Sequence, residues 1–197
     1  MELYLSKTSP YARTVAVVLA EKGADRRVKR HYLDPWKTPE ALTAHNPFSR
    51  IPVLIADDGT ALTETLVISL YLEGVLPEPV LVPSATRTAV LRKAGLGYAL
   101  IDAAVGIFLP QRLGLAAEQA PLRGRRLESM RRALPVIAGE AGTDGTHPDL
   151  GDLVIGVALS YTAFRVPELV WQDQQPALAQ WHRALEARPS FAESRPD

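Results

Sequence analysis

The sequence predicts an α/β layered unit built on a small mixed sheet, followed by an all-α region. Three observations carry this. Residues 1–75 alternate short apolar runs with helical patterns, VLPEPVLVPS at 75–84 holds three prolines that no helix continues through, and everything after it has helical spacing. Two domains of different character follow: 1–75, then a linker at 76–84, then 85–197.

The elements follow in chain order. ELYL (2–5) reads as a strand, and PYARTVAVVLAEKG (10–23) as a helix stopped by Gly23. VKRHYL (28–33) alternates as a second strand, and TPEALTAHN (38–46) starts a short helix after Thr38. IPVLIADDGTAL (51–62) is an apolar run, an Asp58–Gly59 turn of type I′ and a return strand. Thr63 caps ETLVISLYLEG, which Gly74 ends. Beyond the linker, helices are expected at roughly 85–109, 120–140, 150–165 and 176–187, with RPSFAESRPD (188–197) irregular.

Composition narrows the function classes. Lys+Arg and Asp+Glu both number 22, so the formal charge is zero and nothing favours nucleic acid or an anionic membrane. The absence of cysteine removes disulfides, thiolate metal sites and a protein thiol nucleophile together. The four histidines, at 31, 45, 147 and 182, have neither metal spacing nor an acidic partner in a recognisable relay, so no metal is expected. MELYLSKTSP lacks a basic segment leading into an apolar signal core, and LVIGVALSYTAF (153–164) is too short to span a bilayer; a cytoplasmic protein is the expectation.

A few residues invite a chemical reading. Ser9 before Pro10 is a common helix start, serine at the N-cap and proline in the first turn, contributing about 1 kcal/mol. Pro52 suits the start of a strand. Glu64 and Thr65 open an otherwise apolar helix, where an acid complements the dipole and exposed N–H groups bind carboxylates. Asp149 and Asp152 are an N-cap acid with an N3 acid ahead of an apolar helix, so Asp152 is assigned to folding rather than to metal or acid–base chemistry. The basic run RGRRLESMRR (123–132) reads as a solvated helix face, since it lacks stacking aromatics.

SPYARTVAVVLAEKG, NPFSRIPVL, DDGTALTETLVISLYL and RALEARPSF, taken together in this order, resemble the glutathione S-transferase superfamily across essentially the whole chain. The resemblance implies a thioredoxin-like first domain with a mixed four-stranded sheet, a homodimer of two-domain subunits, and glutathione as cosubstrate. It implies a cis proline at Pro52 that turns the N–H and C=O of Ile51 toward the cysteinyl backbone of glutathione. It places Thr65 on the γ-glutamyl carboxylate, Glu64 on the neighbouring amino group, and Arg50 or Lys37 near the glycine carboxylate.

Ser9 coincides with the catalytic serine of zeta-like relatives and the cysteine of omega-like ones. Tyr4, by contrast, lies inside the strand pattern. The role implied for Ser9 is a hydrogen bond to the glutathione sulfur, not nucleophilic attack. The electrophile is expected between Ser9 and the helical domain, near Tyr11 and positions such as Tyr98, Ile101 or Phe108, although aromatics at helical spacing are more often core than ligand wall. A serine-type transferase acting on a small electrophile in detoxification is the leading expectation. The alternative is a non-catalytic binding or regulatory protein of the same fold. A zeta-type isomerase is disfavoured because TSPYAR lacks the Ser-Ser-Cys sequence of that group.

Overall fold

The computed structural model describes residues 1–118, 120–142 and 145–196, which divide into two compact units, 1–81 with 188–197 and 82–187. The first holds strands β1 (Glu2–Leu5), β2 (Lys29–Tyr32), β3 (Val53–Ile55) and β4 (Ala61–Thr63), with helices α1 (Pro10–Glu21), α2 (Glu40–Thr43), α3 (Thr65–Val75) and the single turn α9 (Pro189–Ala192). The sheet order is β2-β1-β3-β4: β1 and β2 run parallel, and β3 and β4 return antiparallel.

Alternation assigns the faces of the sheet. Leu3 and Leu5 are buried, and Tyr4 points the other way, stacked on His31 with ring centroids 4.7 Å apart. Every residue from Ala12 to Leu19 is buried, and α1 packs beside α3. Gly23 ends α1 at φ +62°, with its N–H on the Ala20 carbonyl and the Ala24 N–H on that of Leu19, a Schellman closure.

Two local expectations differ from the structure. The β3–β4 connection is not type I′. Gly59 N–H donates to the Ala56 carbonyl, and Gly59 alone takes positive φ (+86°), while Ala56 N–H donates to the Thr60 carbonyl. This is a three-residue loop with glycine in the bulge position, and Asp58 instead accepts from the Thr60 N–H. Nor does Thr63 cap α3: Glu64 occupies that position, and the helix runs through Gly74 to Val75.

Buried charges close the first unit. Lys22 Nζ donates to the Leu76 and Pro79 carbonyls, each at 2.7 Å, and pairs with Glu73. Residues up to 81 are thereby held to α1 and α3, which carries this unit past the expected boundary at 75. The tail also differs from expectation. It forms α9 on α1, because Arg13 donates to the Phe191 carbonyl and Ser194 hydroxyl while Arg188 and Ser190 both donate to Glu21. Burial alone would raise the Glu21 pKa, but the bonds from Arg188 and Ser190 outweigh it and hold it below the usual glutamate value.

The second unit holds α4 (Arg87–Arg112), α5 (Ala120–Glu140), α6 (Leu150–Arg165), α7 (Trp171–Gln174) and α8 (Pro176–Glu186). Two glycines let α6 lie close on α4. A Cβ on Gly97 would sit 2.8 Å from Val154 Cγ1, and one on Gly151 would sit 2.4 Å from Lys93 Cβ. The expected capping box is present, with Asp149 Oδ1 accepting from Asp152 N–H and Asp152 Oδ2 accepting from Asp149 N–H. Lys93 completes it, its Nζ 2.5 Å from Asp149 and 2.8 Å from Asp152. Burial disfavours the ammonium, yet the two carboxylates outweigh burial and raise its pKa.

Helix α4 runs past the expected end at 109 and through Pro110. Proline cannot donate to the carbonyl four residues earlier, that of Gly106. Arg126 of α5 supplies the missing donor, with Nη1 2.9 Å from that oxygen, and Gly106 has no side chain to obstruct it.

Lys93→Met is expected to lower unfolding free energy by about 3–5 kcal/mol in urea titration, since it strands buried carboxylates. Arg92→Met, which breaks an exposed pair with Glu140, is expected to cost about 0–1 kcal/mol. Because the folded Glu21 pKa is depressed, its contribution is present above the unfolded value of about 4.3 and is lost as pH falls through the lower folded value. Glu21→Gln is therefore expected to cost about 1–3 kcal/mol at pH 7 and to flatten the acid limb of the stability profile below about pH 4.3.

Candidate functional site

Strand register brings the candidate residues to one end of the sheet. Tyr4 of β1 faces Val53 of β3, and Val53 faces Thr63 of β4. Ser9 follows the end of β1, Ile51–Pro52 precedes β3, and Glu64–Thr65 follows β4, so all three segments arrive where β1 finishes.

Ser9 is the N-cap of α1 in extended conformation (φ −81°, ψ 120°), and its hydroxyl oxygen accepts from Ala12 N–H at 3.3 Å. That bond uses an oxygen lone pair and leaves the O–H free to point at a separate acceptor. The first turn of α1 carries no acid, so the positive end of its dipole is not neutralised locally. Arg13, in the next turn, is buried and turned toward the tail residues instead.

The Ile51–Pro52 peptide is cis, the geometry expected there. Among the described residues, neither the N–H nor the C=O of Ile51 has a hydrogen-bond partner, and both lie just outside the β1–β3 ladder. A strand-like ligand can therefore pair with them. The approach to this point is fixed by a residue that sequence reading passed over. Asn46 is buried, its Nδ2 donates to the Arg50 carbonyl at 2.9 Å, and its Oδ1 accepts from Phe48 N–H. The Asn46-Pro47 pair was the available signal, as a turn initiator.

Glu64 has φ +67° and ψ 124°, a conformation costing a non-glycine residue on the order of 1–3 kcal/mol. Its side chain is exposed and makes no cap bond. Thr65 is buried rather than on the surface, with its carbonyl held by the Ser69 hydroxyl at 2.8 Å. Its own hydroxyl has no partner among the described residues, so a donor and an acceptor sit at the start of α3 beside an exposed carboxylate.

The remaining candidates divide. Arg50 and Lys37 are exposed; the Arg50 carbonyl accepts from Asn46 Nδ2, and the Lys37 N–H donates to the Asp34 carbonyl. Ile101 is fully buried, a core position, whereas Phe108 carries the Arg165 guanidinium 4.0 Å above its ring. Among the described residues, no group of three or more metal-ligating side chains is assembled.

Comparison with known proteins agrees with this fold. Residues 8–75 match the model of the glutathione S-transferase N-terminal domain, a span running from Thr8 to the end of α3. A glutathione S-transferase from Methylobacterium radiotolerans, solved with glutathione sulfonate, is 33% identical with a TM-score of 0.88, covering 99% of this chain and 94% of that one. A glutathione transferase family member from Pseudomonas fluorescens, solved with glutathione bound, is 32% identical with a TM-score of 0.89, covering 100% and 98%. The GST-like protein YibF of Escherichia coli is 27% identical over 100% of this chain and 98% of its own. With a mixed four-stranded, thioredoxin-like sheet unit and a helical unit that match these structures over nearly their full length, this chain belongs to the glutathione S-transferase family.

Proposed function

We propose that this chain is a cytoplasmic, homodimeric glutathione transferase of the serine type, which activates the glutathione thiol for attack on a small electrophile. The observation that carries the reading is the Ser9 hydroxyl. It caps α1 through a lone pair, and so keeps its proton for a sulfur anion at the positive end of the helix. The bound glutathione and glutathione sulfonate of the related structures support the cosubstrate.

Glutathione lies along the open backbone of Ile51. Its γ-glutamyl carboxylate meets the Thr65 hydroxyl and the start of α3, and its amino group meets Glu64. Arg50 is the cation for the glycine carboxylate. A free thiol with pKa about 8.5 is only about 3% ionised at pH 7. A decrease of about two units, worth about 2.7 kcal/mol of preferential thiolate stabilisation, makes most of it reactive. One hydroxyl donor and a helix terminus are of the right magnitude to share that task. The thiolate attacks the electrophilic centre and the leaving group departs with the bond electrons, with no metal taking part. With no cysteine in the chain, a mixed disulfide between protein and glutathione is excluded.

Ser9→Ala is expected to leave the glutathione dissociation constant within about threefold, while raising the bound thiol pKa by about 1–2 units and lowering kcat about 10–100-fold. Thiolate absorbance titration and steady-state conjugation kinetics read the two effects separately. Full activity in Ser9→Ala would reduce the residue to a helix cap. Thr65→Val is expected to weaken glutathione binding roughly tenfold, through loss of a hydrogen bond to a charged group. Glutathione retention with an unshifted thiol pKa in the parent protein would favour the non-catalytic alternative.

A further inference from the structure

The tail, residues 188–197, holds α1 at two points about two turns apart. Near the end of the helix, Glu21 accepts from Arg188 and from the Ser190 hydroxyl. Near its start, Arg13 donates from Nη2 to the Phe191 carbonyl at 3.1 Å and from Nε to the Ser194 hydroxyl at 3.2 Å. Its guanidinium carbon also lies 5.4 Å from the centroid of the Phe191 ring.

The partners of Arg13 are themselves fixed. Phe191 is completely buried, and the Ser194 hydroxyl donates to the Ser190 carbonyl at 2.7 Å, inside the same turn of chain. Arg13 is buried as well, so its two bonds to the tail help to offset the desolvation of the guanidinium. Those bonds leave a planar fork in fixed directions, which makes the contact sensitive to rotation of the helix that carries it.

The backbone of Arg13 reaches the other way. Its N–H makes the first intrahelical bond of α1, donating to the Ser9 carbonyl at 2.9 Å. Ser9 is thus joined through one residue to a tail seated in the core. Thr14, fully buried, donates from its hydroxyl to the Pro10 carbonyl at 3.0 Å. That bond stiffens the first turn but is internal to α1 and gives it no direction, whereas the Arg13 bonds reach outside the helix.

We propose that Arg13 is a positioning residue for the Ser9 hydroxyl: its fork on the tail sets the aim of the first turn of α1, and with it the aim of the Ser9 O–H at the glutathione sulfur. The inference rests on the reading of Ser9 as donor to that thiol, and in this role the guanidinium acts through Ser9 rather than on the sulfur. A hydrogen bond weakens steeply once its donor is misaligned, so a loosened first turn stabilises the thiolate less. Glutathione affinity, which this reading assigns to Ile51, Glu64 and Thr65, is left nearly unchanged. Glu21 supplies an internal control, because it holds the same tail at the end of α1 remote from Ser9.

The test is thiolate absorbance titration of the glutathione complex of the full chain, together with conjugation kinetics and urea unfolding. Arg13→Met is expected to raise the bound thiol pKa by about 0.5–1 unit and to lower kcat about 3–10-fold, with the glutathione dissociation constant within about twofold. Arg13→Lys keeps the charge but not the fork, and its thiol pKa is expected to stay raised. Glu21→Gln is expected to lose stability while keeping the parental thiol pKa, so that instability alone does not reproduce the effect. If Arg13→Met does not fold, Arg13→Lys and Ser194→Ala carry the test, the latter with a smaller rise. In a Ser9→Ala background, Arg13→Met is expected to add no further rise, as befits a residue acting through Ser9. A parental thiol pKa in the Arg13 variants, an equal rise in Glu21→Gln, or a full additional rise in the double variant would overturn the proposal. Ser9→Ala with an unshifted thiol pKa removes the reading of Ser9 and this inference with it, whereas a rise in Ser9→Ala without one in Arg13→Met overturns the positioning role alone.

Discussion

The antiparallel return of β3 along β1 is the constraint on which the candidate site depends. Leu3, Leu54 and Leu62 stand in register across three strands, and the first two are completely buried. A slip of one residue would turn that row to the opposite face, so burial of the leucines pins the pairing. Pinned in this way, the segment before β3 and the segment after β4 can only arrive beside the end of β1. The site around Ser9 thus inherits its arrangement from core packing, and its polar groups need not attract one another to meet.

Charged side chains taken out of water act as fasteners in both units. Lys22 ties the end of α1 to the end of α3 and to the chain beyond it, and Lys93 ties α4 to the capping box of α6. Each ammonium reaches several oxygens, which offsets its desolvation. Their structural value is specificity. A hydrophobic residue could occupy either place, but it would not select two particular carbonyls or two particular carboxylates. Arg13 and Glu21 do the same for the tail, which explains why residues remote in sequence belong to the sheet unit.

The close approach of α4 and α6 and the course of α4 through Pro110 rest on compensations between helices. Gly97 and Gly151 remove the side chains that would hold the helices apart. Arg126 replaces the hydrogen bond that Pro110 cannot make. A proline near a predicted helix end reads as a stop when only its own segment is considered, and here the neighbour's guanidinium removes most of the reason to stop.

The sequence by itself determined the features that depend on residues a few positions apart. Alternation in ELYL, serine before proline at 9–10, glycine at 23 and the acid pair at 149 and 152 each specify a strand, a cap, a stop or a capping box through bonds that span one turn. The order of the motifs around Ser9, Ile51 and Thr65 was legible too, as a family resemblance. The bulged turn after Ala56, the Glu64 cap, the Asn46 brace and the Lys93 and Lys22 fasteners were not. A lysine or arginine in a linear sequence looks like a solvated surface charge until its partner is known. The tertiary structure alone supplied those partners, because a bond such as that from Arg13 to Ser194 joins positions 181 residues apart, a separation that leaves no local pattern.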